Sequence, residues 1–418
     1  MDMLTAIMFI SICVYALTTN SDLCSPTKLY LVHFLVFYLG AWTSPQGIEI
    51  WLLMNITLMV GLFSAIIEGH KHTKKLMPNN AKKALEKDKF TFWIWLFTLP
   101  ALAARLYLVY LFGGIEGYAD VLPFRVIEFR GLGWLTSVAN THLVVNLVYF
   151  AVGVTGSRNK KWWTGYAIHF FLFVIFGLLS GSRTGVLIIL PLLMYLVHYL
   201  KRRVSITFFV VVALLSIVSA IIMGVVRKTY SYHDGQLNLG LEDKVISFFD
   251  AEGFRYGILP LKILLSEGLK ELQLGTTFAT IFTNAIPRYI YPEKPDTGGV
   301  VFTKLYTGDA WLGASNLTPT FLGEWVINFG WGFGVVFFVV SYSWIMLMMI
   351  KQYKRNLYKW TENINRKSAF DATMYIVLLW SMVALMVGES TNVIVRMFVE
   401  KIIPLAAMRV FFLSKFKY

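Results

Sequence analysis

The chain has 418 residues, of which 57% are hydrophobic and only 15% are charged, with a formal net charge of +14. Soluble globular proteins carry roughly 25% charged residues, so the composition excludes an ordinary soluble domain. The apolar runs are long enough to cross a bilayer as helices and lack the alternation of a transmembrane barrel. The sequence therefore predicts an all-α polytopic membrane protein.

About eleven apolar segments predict transmembrane helices, and we expect residues 1–418 to form a single integral membrane domain. The first segment has no Lys or Arg before Lys28, which indicates a retained span entering from outside and not a cleaved signal peptide. In chain order, the predicted spans cover residues 3–19, 29–43, 48–67, 90–112, 136–156, 162–179, 184–200, 205–226, 321–350, 373–388 and 393–413.

The positive charge is concentrated in alternate connections between these spans. Lys and Arg predominate in residues 70–89, 158–161, 201–203 and 351–367, which follow the third, fifth, seventh and ninth spans. Because positive residues mark the cytoplasmic side of membrane helices, these connections predict the inner face and contact with membrane lipid. The net charge of +14 then reflects topology, and no nucleic-acid partner is expected.

Two longer connections lie on the predicted outer face, at residues 113–135 and 227–320. Within the larger one, residues 241–254 and 259–272 have apolar residues at helical spacing, which predicts helices lying along the membrane surface. Residues 286–299 contain three prolines and a glycine pair, which predicts an irregular loop. We expect the larger connection to form a helical cap that closes over an active site.

Ionisable residues recur near the outer ends of the predicted spans, where burial is costly and usually serves a function. These residues are Arg105, Arg183, Arg227, Glu389 and Arg396, and the outer connections add Arg125, Arg130, Arg255 and Arg288. The planar donor fork of arginine matches phosphate oxygens, so the set predicts a shared cavity for a phosphate-bearing lipid. The alternative is that each arginine extends to the headgroups or pairs with a nearby acid.

Two short motifs carry further chemistry. Residues 180–185 read Ser-Gly-Ser-Arg-Thr-Gly, where glycines free the backbone and hydroxyls, turn amides and Arg183 can bind an anion. The alternative is a polar hairpin between two spans. Residues 323–330 read Gly-Glu-Trp-Val-Ile-Asn-Phe-Gly, with Glu324 and Asn328 on one helical face. They either bind sugar hydroxyls or cap and pair at the membrane interface.

The remaining polar residues indicate less. His142 and Asn146 lie one helical turn apart, and they either face the same cavity or, as we favour, bond across helices. The isolated His169 and His198 are expected to make structural hydrogen bonds. His233 with Asp234 suggests a base and the residue that orients it. The sequence has no Walker loop, no HExxH motif and no metal-ligand spacing of its two cysteines, so neither a metal nor a cofactor is expected.

Taken together, these residues resemble the O-antigen polymerases of bacteria, the Wzy family. The resemblance rests on the motif at 180–185, on the Ile-Pro-Arg, Lys-Pro and Gly-Gly elements within 286–299, and on the motif at 323–330. It implies a metal-independent glycosyltransferase of the GT-C type at the periplasmic face of the bacterial inner membrane. Donor and acceptor would both be undecaprenyl diphosphate-linked oligosaccharide repeats, and a chain-length regulator is a candidate partner.

Under this resemblance, arginines stabilise the departing diphosphate, and other residues serve the sugars. The first choices for the diphosphate are Arg183, Arg227 and Arg288, followed by Arg105, Arg255 and Arg396. The general base stays open among His233, Asp234, Glu252 and Glu324, and the aromatic residues expected to stack on sugars are Tyr289, Tyr291, Trp311 and Trp325. Two alternatives are an O-antigen ligase, which transfers polymer to lipid A–core, and a flippase of lipid-linked oligosaccharides.

Overall fold

A computed structural model of the chain is almost entirely helical. It describes residues 2–42, 45–69, 89–122, 128–129, 131–156, 158–179, 188–233, 236–239, 255–284, 286, 290–307, 317–362 and 366–415. Two compact units are present, and each is assembled from segments distant in the sequence. Unit 1 comprises Met1–Lys75, Ser247–Arg355 and Leu378–Arg396, and unit 2 comprises Leu76–Ile246, Asn356–Val377 and Met397–Tyr418. The single membrane domain expected from the sequence stays a prediction.

The first half of the described chain contains ten α-helices, one 3-10 turn at Leu39–Ala41 and one hairpin. The helices are α1 (Asp2–Thr19), α2 (Pro26–Tyr38), α3 (Ile48–Gly69), α4 (Lys89–Leu111), α5 (Gly114–Val121), α6 (Gly133–Asn140), α7 (His142–Thr155), α8 (Lys160–Leu179), α9 (Ile189–Leu200) and α10 (Ile206–Thr229). Strands β1 (Tyr230–His233) and β2 (Gln236–Leu239) then pair antiparallel, with Tyr230 opposite Leu239. This short hairpin is the one exception to the expected helical fold among the described residues.

The second half contains seven further helices and two π-helical turns. The helices are α11 (Leu259–Glu267), α12 (Thr276–Thr283), α13 (Gly298–Phe302), α14 (Thr320–Glu362), α15 (Arg366–Ala384), α16 (Ser390–Arg396) and α17 (Ile403–Lys415). The π-helical turns, Thr303–Thr307 and Met397–Ile402, follow α13 and α16.

Helices account for most of the described residues in each predicted span, so the expected helical fold is confirmed, and the number of eleven spans stays a prediction. Six segments among the described residues are long and apolar enough to cross a bilayer: Asp2–Thr19, Ile48–Gly69, Phe90–Leu111, Gly133–Thr155, Lys160–Leu178 and Thr320–Leu357. Two shorter apolar segments, Ile189–Leu200 and Ile206–Ser216, accompany them. The chain is therefore a helical membrane protein.

In unit 1, a buried polar cluster joins the ends of α1, α3 and α14 that the charge pattern predicts to be cytoplasmic. Asn20 donates to Glu68 at 2.6 Å, and the ammonium group of Lys28 lies 4.0 Å from the same carboxylate. Near the far end of α14, Tyr353 donates to Asp22 at 2.6 Å. These contacts place the end of α14 beside the chain reversal between α1 and α2.

Helix α14 folds back on itself at Gly330, which has φ 77° and ψ 172°. The ring of Phe321 lies 5.9 Å from that of Tyr342, although a continuous helix would separate these residues by roughly 30 Å. Trp325 and Phe337 are likewise 5.5 Å apart. Residues 320–329 therefore form a short helix antiparallel to the start of residues 331–362. The predicted single span at 321–350 is wrong in this respect.

We expect Gly330→Ala to destabilise the protein by about 1–3 kcal/mol, because this backbone conformation is accessible essentially only to glycine. No atom of a non-adjacent residue lies within 4 Å of the position of the added methyl group. The loss of stability would therefore come from backbone strain and not from a steric clash. Gly332→Ala is the matched control, since Gly332 is helical and equally open. Thermal unfolding in detergent would contradict the assignment if both variants melted alike.

Two predictions for the large outer loop are corrected. The helix expected over residues 259–272 ends at Glu267, because Gly268 adopts φ 67° and stops it. The glycine pair expected in an irregular loop instead begins the short helix α13. The helix expected over 241–254 lies outside the described residues.

In unit 2, polar side chains bond across helices α4, α7 and α8, as expected for a helical bundle in lipid. His169 is the centre of this network: its Nδ1 lies 2.9 Å from the Asn146 amide, and its Nε2 lies 2.9 Å from the Thr98 hydroxyl. His142 packs edge-on against the His169 ring at 4.7 Å. The bond across helices expected for Asn146 and the structural hydrogen bonds expected for His169 are confirmed.

Candidate functional site

The candidate site lies in unit 1 and is centred on the buried carboxylates of Glu324 and Glu389. Glu324 lies in the fold-back helix, residues 320–329, and is fully buried, whereas Glu389 precedes α16 and is 6% exposed. Ser390, the neighbour of Glu389, donates to Glu324 through its N–H at 2.6 Å and its hydroxyl at 2.9 Å. The two carboxylates are therefore close neighbours, although 65 residues separate them in the chain.

Helix α12 supplies hydroxyl groups to the same network. Thr277 donates to Glu324 at 3.2 Å and accepts from Asn328 at 2.7 Å, so it bridges the two polar residues of the fold-back helix. The hydroxyl of Thr280 hydrogen-bonds that of Thr391 at the start of α16. Three segments that are distant in the sequence are thus held together by side-chain oxygens.

The glycine pair at the start of α13 lets the backbone approach both carboxylates. A Cβ atom on Gly298 would lie 3.0 Å from Glu324 Oε1, and one on Gly299 would lie 2.8 Å from Glu389 Oε2. The Gly299 N–H donates to the Glu389 carboxylate. Side chains at these two positions would displace the acids, which accounts for the glycines that the sequence places there.

Burial raises the pKa of the Glu389 carboxyl above its ordinary value. The Gly299 N–H, the Thr297 side chain and the positive charge of Arg396 each oppose that rise. Arg396 ends α16 and is exposed, so its charge is screened by solvent. The net effect is that Glu389 holds its proton to a higher pH than an unfolded chain would.

Because the folded pKa of Glu389 is raised, its protonation contributes stability that is fully present below the unfolded pKa. That contribution is lost as pH rises through the folded pKa. We therefore expect the melting temperature to fall over the range that starts near pH 4, the ordinary pKa of a glutamate, and runs upward, and Glu389→Gln to reduce that fall. Melting curves of both proteins across this range check the sign, and a wild-type melting temperature that rises with pH would contradict it.

Several residues predicted for the site belong to unit 1 but differ in setting. Glu324 is in the centre of the network, and Arg396 acts on Glu389. Trp325 is half-buried in an aromatic cluster, with Phe278 at 4.4 Å, and is held there by packing. Arg255 is half-buried before α11, and Tyr291 is exposed on the loop.

Arg105 belongs to unit 2, where it is buried at 5% exposure. It donates to Asn140 at 3.3 Å and to the Tyr118 hydroxyl at 3.4 Å, and Asn140 in turn donates to Glu400 at 3.0 Å. An amide thus links the guanidinium group to an acid within the same unit. This arrangement matches the alternative in which Arg105 pairs locally, and the shared arginine cavity stays a prediction.

The other predicted residues fall into two groups. Arg227 and His233 lie on the described backbone of α10 and β1. The predicted site residues that lie outside the described part are Arg183, Arg288, Asp234 and Tyr289, along with Glu252 and Trp311.

Sequence reasoning missed the hydroxyl partners of the site. Thr277, Thr280, Ser390 and Thr391 are ordinary residues in the sequence, and only the fold shows that they face Glu324 or each other. One signal was present: residues 388–391 read Gly-Glu-Ser-Thr between two apolar spans, where polar residues are costly. Comparison with protein-family models, with curated proteins and with solved structures finds no match for this chain.

Proposed function

We propose that the protein polymerises undecaprenyl diphosphate-linked oligosaccharide repeats into a surface polysaccharide at the periplasmic face of the bacterial inner membrane. In this proposal, the chain has eleven membrane spans and a GT-C-like architecture, and it requires no metal. The observation that carries the proposal is the buried carboxylate of Glu324, held on a fold-back helix by hydrogen bonds from α12 and from Ser390. Burying an ionisable side chain in a membrane protein costs free energy, so such residues usually serve a function.

Glu324 is our choice of general base among the candidates that the sequence leaves open. A carboxylate offers about four acceptor positions, and three are occupied by the Ser390 N–H, the Ser390 hydroxyl and the Thr277 hydroxyl. In this proposal, the remaining position accepts a hydrogen bond from the attacking hydroxyl of the incoming repeat. These donors also fix the orientation of the carboxylate, as an efficient base requires.

The reaction then proceeds as a glycosyl transfer. A hydroxyl oxygen of the incoming repeat attacks the anomeric carbon of the growing chain, and the bond from that carbon to the diphosphate oxygen breaks. The hydroxyl proton passes to Glu324, and the bonding electrons leave with undecaprenyl diphosphate. Arginines stabilise the charge that develops on the diphosphate, with Arg183, Arg227 and Arg288 as first choices.

Mass spectrometry of lipid-linked glycans in a deletion strain tests this proposal against a ligase. We expect single repeats to accumulate on undecaprenyl and to cap the lipid A–core as single units. Long polymer accumulating on undecaprenyl would contradict the proposal and favour transfer of polymer to lipid A–core.

A further inference from the structure

Helix α12, Thr276–Thr283, buries two of its threonines, exposes Thr276 at its first residue and leaves Thr283 half-buried. Thr277 and Thr280 are 0% and 1% exposed, whereas Phe282 is 83% exposed. Ala279, on the same outward face, is also exposed. A helix on the surface of a water-soluble domain has the opposite pattern, with apolar residues inside and polar residues outside. The outward face of α12 therefore suits hydrocarbon better than water.

The backbone just before α12 is hydrogen-bonded to the end of the fold-back helix, next to the interruption of α14 at Gly330. Gln273 and Leu274 donate their N–H groups to the carbonyl oxygens of Ile327 and Asn328, at 3.0 and 3.1 Å. The Gly275 N–H donates to the Asn328 side chain at 2.8 Å. Non-helical backbone is tolerated at membrane depth only where protein groups satisfy it, and these three bonds meet that condition.

Aromatic side chains in contact connect α12 with the exposed apolar face of the long helix, which comprises residues 331–362 of α14. Phe278 packs on Trp325 at 4.4 Å, and Trp325 packs on Phe337 at 5.5 Å. Phe337 and its neighbour Phe333 belong to the membrane-crossing helix and are 40% and 71% exposed. The outward face of α12 is thus continuous with side chains that face lipid.

The fold-back helix beside α12 begins well below the Gly330 end of the long helix, residues 331–362, and the charge pattern predicts that this end faces outward. Phe321 contacts Tyr342, which follows Trp331 by about 16 Å of helix. Glu324 is three residues from Phe321, and it accepts a hydrogen bond from Thr277 of α12. Helix α12 therefore reaches a depth that the outer leaflet occupies around the long helix.

We infer that α12 is a re-entrant helix that enters the outer leaflet, with Ala279 and Phe282 in contact with lipid hydrocarbon. The segment beside Glu324 is then membrane-embedded and does not cap the site from the aqueous side. This inference rests on the membrane fold and not on the proposed polymerase activity.

Nitroxide spin labels test this placement in the full-length protein, reconstituted in phosphatidylcholine and phosphatidylglycerol vesicles. Labels are attached to single cysteines, Phe282→Cys or Ala279→Cys, in a Cys13→Ala and Cys24→Ala background. Phe333→Cys is the lipid-facing control, and Ser266→Cys, at an exposed position of α11, is the water-facing control. Power saturation measures collisions with oxygen, which enters lipid, and with a nickel chelate, which stays in water.

We expect both α12 labels to collide more with oxygen than with the nickel chelate, as the label at position 333 does, and the label at position 266 to show the reverse. Preference for the nickel chelate at 279 and 282 would overturn the inference. Protection from both agents would also overturn it, because another protein surface would then cover the face. No readout depends on enzyme activity, so failure here leaves the proposed function standing.

Discussion

Replacing Glu324 with Gln is expected to lower polymerisation by ~10²–10⁴-fold, the range contributed by a positioned proton-transfer group. Glutamine has nearly the same size and keeps one oxygen to accept from Thr277 or Ser390, but it cannot take the proton of the acceptor hydroxyl. Elongation of synthetic lipid-linked repeats by the purified variant measures the effect. Glu267→Gln is the control, since this exposed acid forms only a surface contact with Lys270 among the described contacts.

A structural role for Glu324 would give a different pattern. Gln places an amide against the buried Ser390 N–H, which costs about 1–3 kcal/mol if that donor loses its partner. Asn328→Ala also breaks the network, by removing bonds to Thr277 and the Gly275 N–H, but removes no base. We expect Asn328→Ala to retain far more activity than Glu324→Gln at comparable stability. Equal losses in the two variants would identify Glu324 as a structural residue.

Arg183→Ala and Arg288→Ala are each expected to abolish long-chain polysaccharide while the protein stays in the membrane at normal levels. Removing one well-placed donor to a developing charge typically costs ~10²–10³-fold in rate, and the departing diphosphate carries the largest charge in the reaction. Gel ladders of surface polysaccharide report chain length, and immunoblots of membrane fractions report the amount of protein.

The lysine variants Arg183→Lys and Arg288→Lys separate charge from geometry. Lysine keeps the positive charge but loses the planar donor fork, so we expect shortened ladders and not their complete loss. Arg202→Ala, in a connection predicted to be cytoplasmic, serves as the control and is expected to leave the ladder unchanged. Normal ladders in both alanine variants would remove Arg183 and Arg288 from the site.

The sequence predicted the helical elements well because long apolar runs leave the backbone few other ways to satisfy its hydrogen bonds in lipid. It failed at α14, where hydropathy stays high on both sides of Gly330 and gives no sign of a reversal. The local signal was the spacing of Gly330, Gly332 and Gly334. A Cβ on Gly334 would lie 2.6 Å from the Trp325 carbonyl oxygen, so this glycine permits close packing of the two antiparallel pieces.

The candidate site was only partly predictable. Glu324 and Asn328 stood out because polar residues one turn apart in an apolar helix are costly. Their partners did not stand out, because Thr277 and Ser390 come from segments 47 and 66 residues away from Glu324 and carry no charge. The expected cavity of arginines was inferred from depth alone, and depth does not determine which helices are neighbours.

Reconstitution of the purified protein in liposomes with synthetic undecaprenyl diphosphate-linked repeats tests the central proposal most directly. We expect a ladder of longer lipid-linked glycans, together with release of undecaprenyl diphosphate, and no ladder from Glu324→Gln. Transfer of unelongated repeats across the bilayer, with no longer product, would contradict it and identify a transporter.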